Sequence, residues 1–257
     1  MVIIFLKKHY LTIIITILLM LFAAAAIVTG TGHRYIKLES GIKFFGKVDK
    51  DNYPISGNIY YPDGKNGKID IKKGEIVYSD KSTYKGQLYG LERHGQGKLE
   101  YADGSVYTGT FVNDSITGNG ELTYKDGSKY TGSFVNGKAD GEGVYVYGDG
   151  SIYSGSFKDN KRSGKGTLKL ADGSIFDGYF QNNLKSGTGT FIYANGDSYT
   201  GGFVDDMKSG YGIYSWSEGT TYKGDFSEDK MHGHGMMYFP DGTVFDGNFV
   251  KGNPVRE

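Results

Sequence analysis

From Tyr84 onward the sequence repeats every 23 residues, seven times, without an insertion or deletion. Each unit opens on an aromatic: Tyr84, Tyr107, Tyr130, Tyr153, Phe176, Tyr199 and Tyr222, with Phe245 opening a final half unit. A glycine follows two residues later (Gly86, Gly109, Gly132 and their equivalents through Gly247), and Leu88 or a phenylalanine two after that. The second half reads Gly-x-Gly-x-apolar-x-aromatic in most units, and an acidic or amide residue plus glycine closes it, as in Asp103-Gly104 and Asn195-Gly196. A fixed period marks a repeat architecture in which each unit buries its apolar face against its neighbours.

The aromatic, the glycine and the phenylalanine sit at i, i+2 and i+4, and the second half alternates as well. That is the period of a β-strand with one face apolar. Two strands per unit make a hairpin, with about six polar residues between them, such as those from Val112 to Thr117, as its loop. The Asp-Gly pair turns the chain into the next unit. Glycine weakens a strand interior by about 0.5–1 kcal/mol, so its regular placement needs a second reason. Missing side chains leave room for rings to lie over the neighbouring strand, and ring pairs add ~0.5–1.5 kcal/mol beyond their buried area. The predicted fold is all-β: an elongated single-layer antiparallel sheet of stacked β-hairpin repeats, roughly 80–90 Å long at ~4.8 Å per strand. One transmembrane helix precedes it.

That helix is read from residues 10–28, an uncharged run of 19 residues that would span about 28 Å at ~1.5 Å per residue. Lys7 and Lys8 place residues 1–9 in the cytoplasm and the repeats outside it. The rival reading is a cleaved signal peptide ending near Ala24-x-Ala26, which would make the protein secreted. Residues 29–43 read as a spacer, 44–83 as degenerate capping repeats, 84–244 as the seven full units and 245–257 as a half-repeat C-terminal cap. Asn253-Pro254 in that cap suits an edge strand.

From His33 onward there are 27 basic and 29 acidic residues, a net charge of −2, with no basic footprint for nucleic acid. The chain has no cysteine, which excludes disulfides, thiolate metal sites and cysteine nucleophiles.

The unit [Tyr/Phe]-x-Gly-x-Phe…Gly-x-Gly-x-x-x-Tyr-x-Asp-Gly resembles the MORN repeat (membrane occupation and recognition nexus). The resemblance is strong over 84–249 and weak over 44–83. It implies a non-catalytic scaffold of stacked hairpins that binds proteins and in some members associates with membranes or phospholipid. The chain departs from the fuller motif at the eighth position of each unit, where glycine is often found. Gly137 supplies it, whereas Leu91, Asp114, Asn160, Asn183, Asp206 and Asp229 do not.

Three stretches invite a chemical reading. His232-Gly-His234 alternates like a metal pair but lacks a third ligand in sequence. His94-Gly-Gln-Gly97-Lys98 has part of a phosphate loop without its spacing or helix. The Asp-Gly-Ser turns offer one carboxylate per ~10 Å, too few for the six to eight oxygens of calcium. No cofactor or metal is expected, and no nucleophile–base pair stands out. The face opposite the rings is polar in early units (Gln96, Lys98, Glu100) and turns apolar later. Ile192, Tyr211, Ile213, Met236 and Tyr238 form the candidate partner surface. The function expected is a membrane-anchored scaffold for a protein partner. A glycan or cell-wall binder using the Tyr-rich face is the alternative, followed by a phospholipid-binding module.

Overall fold

The computed structural model describes residues 32–255. Residues 1–9 and the segment 10–28 lie outside them, and among the described residues no helix is long and apolar enough to cross a membrane. What is described is strand and turn, 21 strands in all. The chain divides into two compact units between Ile116 and Thr117.

The first unit holds β1 (His33–Lys37), β2 (Lys43–Val48), β3 (Pro54–Tyr60), β4 (Asn66–Asp70), β5 (Glu75–Tyr78), β6 (Thr83–Tyr89), β7 (Glu92–Glu100) and β8 (Val106–Val112). Each pairs antiparallel with the next. β1 falls inside the stretch read as a spacer. Five residues are too few to show a period, yet Ile36 there is 5% exposed and packs the edge of the sheet. The degenerate repeats keep the hairpin plan, with Gly46 opposite Gly57 as in a full unit.

β9 (Ser115–Thr123) crosses the division. The second unit continues with β10 (Lys129–Val135), β11 (Lys138–Val146), β12 (Ile152–Lys158), β13 (Lys161–Lys169), β14 (Ile175–Gln181) and β15 (Leu184–Ile192). It ends with β16 (Ser198–Val204), β17 (Met207–Ser215), β18 (Thr221–Ser227), β19 (Lys230–Tyr238), β20 (Val244–Val250) and β21 (Asn253–Pro254). From β9 onward each strand pairs antiparallel with its successor.

Register explains the glycines. Gly120, Gly132, Gly143, Gly155, Gly166 and Gly178 stand opposite one another on successive strands. The lane continues through Gly189, Gly201, Gly212, Gly224 and Gly235 to Gly247. The opening tyrosine of each unit lies over this lane. A Cβ on Gly166 would sit 2.4 Å from the Tyr153 hydroxyl and 2.5 Å from its ring. The hydroxyl reaches past the lane to donate to the carbonyl three residues on: Tyr130 to Ser133 at 2.9 Å, Tyr153 to Ser156 at 2.9 Å, Tyr199 to Gly202 at 3.0 Å. In the second unit Tyr130, Tyr153, Phe176, Tyr199 and Tyr222 each meet edge to face the phenylalanine of their own repeat and of the next. Tyr130 meets Phe134 at 5.0 Å and Phe157 at 4.9 Å, and Tyr222 meets Phe226 at 5.3 Å and Phe249 at 4.9 Å. The core of the second unit is therefore one face of its sheet, a continuous ladder of buried rings.

The hairpin loop within a unit is shorter than the six residues predicted. β8 ends at Val112 and β9 begins at Ser115, leaving two turn residues. Asn113 and Asp114 have φ of 48° and 64°, and Asp159-Asn160 and Asn182-Asn183 repeat the pattern. Positive φ at both central residues is the type I′ turn, whose twist suits a two-residue hairpin and which Asn and Asp tolerate. Inside the strands a bulge replaces the missing loop length: between Gly155 and Phe157 of β12 the partner strand carries the extra residues of Ser163, Gly164 and Lys165. Gly164 at φ 75° supplies the left-handed residue such a bulge requires. The Asp-Gly turns are as expected. Gly150 N donates to Tyr147 O at 3.0 Å, and Ser151 N to Asp149 Oδ1 at 2.8 Å.

Candidate interaction surfaces

The candidate residues of the open face all lie in the second unit, on strands β15, β17 and β19. Tyr211 is 63% exposed, Ile192 47% and Ile213 37%. Met236 and Tyr238 are half-buried against each other, the Tyr238 hydroxyl 3.4 Å from the Met236 sulfur. Strand register brings Ile213 beside Lys223 and Lys223 beside Met236, and the Lys223 Nζ lies 5.1 Å from the Tyr238 ring centre. Between Ile192 and Tyr238 in their own row stand Ser198, Ser215 and Thr221. Ile213, Met236 and Tyr238 thus cluster around a lysine, while Ile192 stands apart beside Ile175. Tyr211 stands opposite Asp225.

His232 and His234 are separated by Gly233 at φ 64°, which interrupts the alternation that would set them side by side. His234 Nε2 instead meets Asp246 Oδ1 at 2.8 Å. Among the described residues no group of three or more potential metal ligands gathers. The carboxylates of the Asp-Gly turns accept hydrogen bonds from their own loops. Ser128 holds Asp126 below the usual carboxylate range in this way, and Thr243 does the same to Asp241.

The ring face carries a feature the sequence reading passed over. The tenth residue of several units is basic, and the lengthened strands turn it onto the rings. Arg93 Cζ lies 5.2 Å from the Phe111 ring centre, and Arg162 Cζ 5.1 Å from Phe180. Lys185 Nζ lies 4.9 Å from Phe191, and Lys208 Nζ 5.0 Å from Tyr214. Each is a cation over aromatic faces, where the ring quadrupole attracts it. Arg162, Lys185 and Lys208 occupy successive units. Burial lowers the pKa of Lys185 and of Lys208, with Asp206 and Asp229 opposing it at Lys185 and Asp229 at Lys208. The signal was a basic residue recurring at one position of the repeat, hidden because that position was counted as loop.

In the first unit a cavity of about 500 Å³ opens among Tyr61, Tyr78, Tyr101, Glu92, Arg93 and Asp114. Arg93 is committed within it. Its Nε donates to Asp114 Oδ1 at 3.1 Å and its Nη2 to the Asp114 carbonyl at 2.6 Å. Burial raises the pKa of Glu92 and of the Tyr61 and Tyr78 phenols.

Hairpins in one register, a glycine lane beneath stacked rings and two-residue turns define a β-hairpin repeat protein. The family model for the MORN repeat matches residues 84–106, 107–129, 130–152, 153–175, 176–198, 199–221 and 222–244, and the chain belongs to the MORN-repeat family. A search of curated proteins returns no match. Among solved structures, the chain is similar to the TCP10 domain of Danio rerio CPAP in complex with a peptide of Danio rerio STIL. Identity is 11%, with 84% of this chain and 98% of that one covered, at a TM-score of 0.43. The Drosophila melanogaster SAS-4 TCP domain in complex with a proline-rich motif of Ana2 matches at 14% identity, over 68% of this chain and 90% of that one, with a TM-score of 0.39.

Proposed function

We propose that the protein is a membrane-anchored, non-enzymatic MORN-repeat scaffold that holds a protein partner at the outer side of the cytoplasmic membrane. Membership of the family supports a repeat scaffold. Residues 10–28, with Lys7 and Lys8 before them, have the length and flanking charge of a signal anchor. The observation that carries the partner reading is the open face of β17 and β19. There Tyr211 stands 63% exposed, and Ile213, Met236 and Tyr238 gather around Lys223. Aromatic and methionine side chains of this kind are enriched at interfaces, and none of them is needed to close the ring ladder on the opposite face.

The test is crosslinking in intact membranes with the full chain and its Tyr211→Ser, Tyr238→Ser double variant. The expected result is an unchanged unfolding midpoint together with loss of the partner captured by the parent chain. Capture of the same partner by both sinks this reading. Retention on purified wall polymer that the double variant loses would assign the surface to a glycan instead. Flotation of the repeats with liposomes after removal of residues 1–31 would point to phospholipid.

A further inference from the structure

The ring face of the second unit has cations that are desolvated but only weakly paired. Elsewhere in that unit lysines meet carboxylates closely: Lys129 with Glu121 at 3.0 Å, Lys138 with Asp159 at 2.8 Å, Lys158 with Asp140 at 2.9 Å. Their lysines are well exposed, and such pairs contribute little. The order is reversed on the ring face. Lys185, its side chain 19% exposed, comes no nearer to a carboxylate than 3.9 Å, at Asp206. Asp206 Oδ1 already accepts the Lys185 backbone N–H at 2.8 Å. Lys208 Nζ donates to the Tyr193 hydroxyl at 3.3 Å, and among the described residues no carboxylate lies within ion-pair distance of it. Arg162 donates Nη2 to the Asn183 carbonyl at 2.6 Å and leaves its buried Nε without a partner. Removing charge from water with so little pairing is costly, and rings return only part of that cost. An incoming anion would supply the rest.

Spacing narrows what kind of anion. Arg162, Lys185 and Lys208 stand on β13, β15 and β17, two strands apart, or about 10 Å per step at ~4.8 Å between strands. A β-strand ligand cannot match this on one side, because its period of two points residues i and i+3 to opposite faces. A polyproline II segment can. It has three residues per turn and a rise of ~3.1 Å, so i, i+3 and i+6 fall on one side at about 9 Å intervals. Tyr193 and Trp216, half-buried just past the ends of β15 and β17, offer a flat apolar margin against which proline rings pack.

We infer that the Arg162–Lys185–Lys208 row binds an acidic, proline-rich peptide segment of a partner protein, in polyproline II conformation, with a carboxylate at every third residue. This deepens the scaffold reading by naming the chemistry of a partner. It uses the face opposite Tyr211 and Tyr238, so either surface can fail without the other.

The experiment uses the full chain in a neutral detergent and three synthetic peptides: (Glu-Pro-Pro)4, its glutamine counterpart (Gln-Pro-Pro)4, and (Glu-Pro)6. Affinity is read by calorimetry. Location is read from Trp216, the single tryptophan of the chain, which neighbours Tyr214 at 4.6 Å. The expected result is binding of (Glu-Pro-Pro)4 at least tenfold tighter than of either other peptide, with a change in Trp216 emission. Lys185→Gln with Lys208→Gln should abolish that preference, whereas Lys185→Arg with Lys208→Arg and the open-face control Lys129→Gln should keep it. Equal or tighter binding of (Glu-Pro)6, which carries more charge at the wrong spacing, overturns the inference. So does binding that leaves Trp216 emission unchanged, or binding to phosphatidylserine vesicles in place of the peptide. The peptide comparison on the parent chain decides the matter even if the double glutamine variant does not fold.

Discussion

At the scale of single residues, the glycine lane is the least replaceable part of the molecule. Gly166 has the opening ring of its hairpin within 2.6 Å of where a Cβ would stand, and Gly143 has Tyr130 within 2.7 Å. Tyr153 is 0% exposed and tied by its hydroxyl to Ser156, so it cannot give way without breaking a bond. Gly166→Ala should therefore cost about 1–3 kcal/mol, the range for overpacking a fixed core. A denaturant midpoint followed by Trp216 emission would measure it, and an unchanged midpoint would mean the rings are not held as described. The same lane shows what could be read in advance. Glycine and ring at alternate positions announced both the strand and its apolar face. The cations could not be placed so, because whether residue ten of a unit meets rings or solvent depends on where the turn ends.

Between elements, hairpin is fastened to hairpin by an Asn or Asp at the eighth position of several units, the one at which this chain departs from the fuller family motif. Asn183 donates its backbone N–H to the Arg162 carbonyl at 3.0 Å and accepts the Arg162 N–H on its side-chain oxygen at 2.8 Å. Asn160 does the same with Ala139, Asp206 with Lys185 and Asp229 with Lys208. A glycine there keeps the first bond and the positive φ but lacks the second. Asn183→Ala loses the acceptor, strands the Arg162 N–H, and sets at φ 76° a residue that tolerates the left-handed region less well than asparagine. About 1–3 kcal/mol of stability should be lost, and Asn183→Gly should lose measurably less. Equal losses in chemical denaturation would remove the clamp from the account. At the opposite end of the hairpins, Ser151 and Ser174 accept the N–H of Ala171 and Ala194 at 3.1 and 3.0 Å. The Asx pairs that make these type I′ turns were visible in the sequence. The sequence does not separate them from a longer polar loop, because Ser115, Ile116 and Thr117 after Asn113-Asp114 carry no sign of the bulge that follows.

For the molecule as a whole, the buried phenols set an alkaline limit. Burial raises Tyr84, Tyr107, Tyr130, Tyr153, Tyr199 and Tyr222 from 10.0 to about 12. A folded-state pKa above the unfolded value favours the folded state while the group is protonated. The contribution is therefore complete below about pH 10 and is lost as pH rises through about 12. Circular dichroism and phenolate absorbance, recorded together against pH, should show a steep joint transition in that window. Phenols that ionise near pH 10 with the sheet intact would contradict the burial. The repeat count, hairpin plan and ring face were all legible in the order of residues. Which side chains gather on either face was legible only in part, since those positions differ from unit to unit.

The reciprocal clamps have one more consequence, and it concerns time. Each joins residues 21 apart in the chain, and each strand from β10 to β20 pairs only with its immediate predecessor and successor. Sheet proteins usually fold slowly because distant segments must find one another. Here no hairpin waits for a segment far ahead of it, since the surface it docks on has already been made. The array can be completed in the order of its synthesis, and its assembly should keep pace with the ribosome.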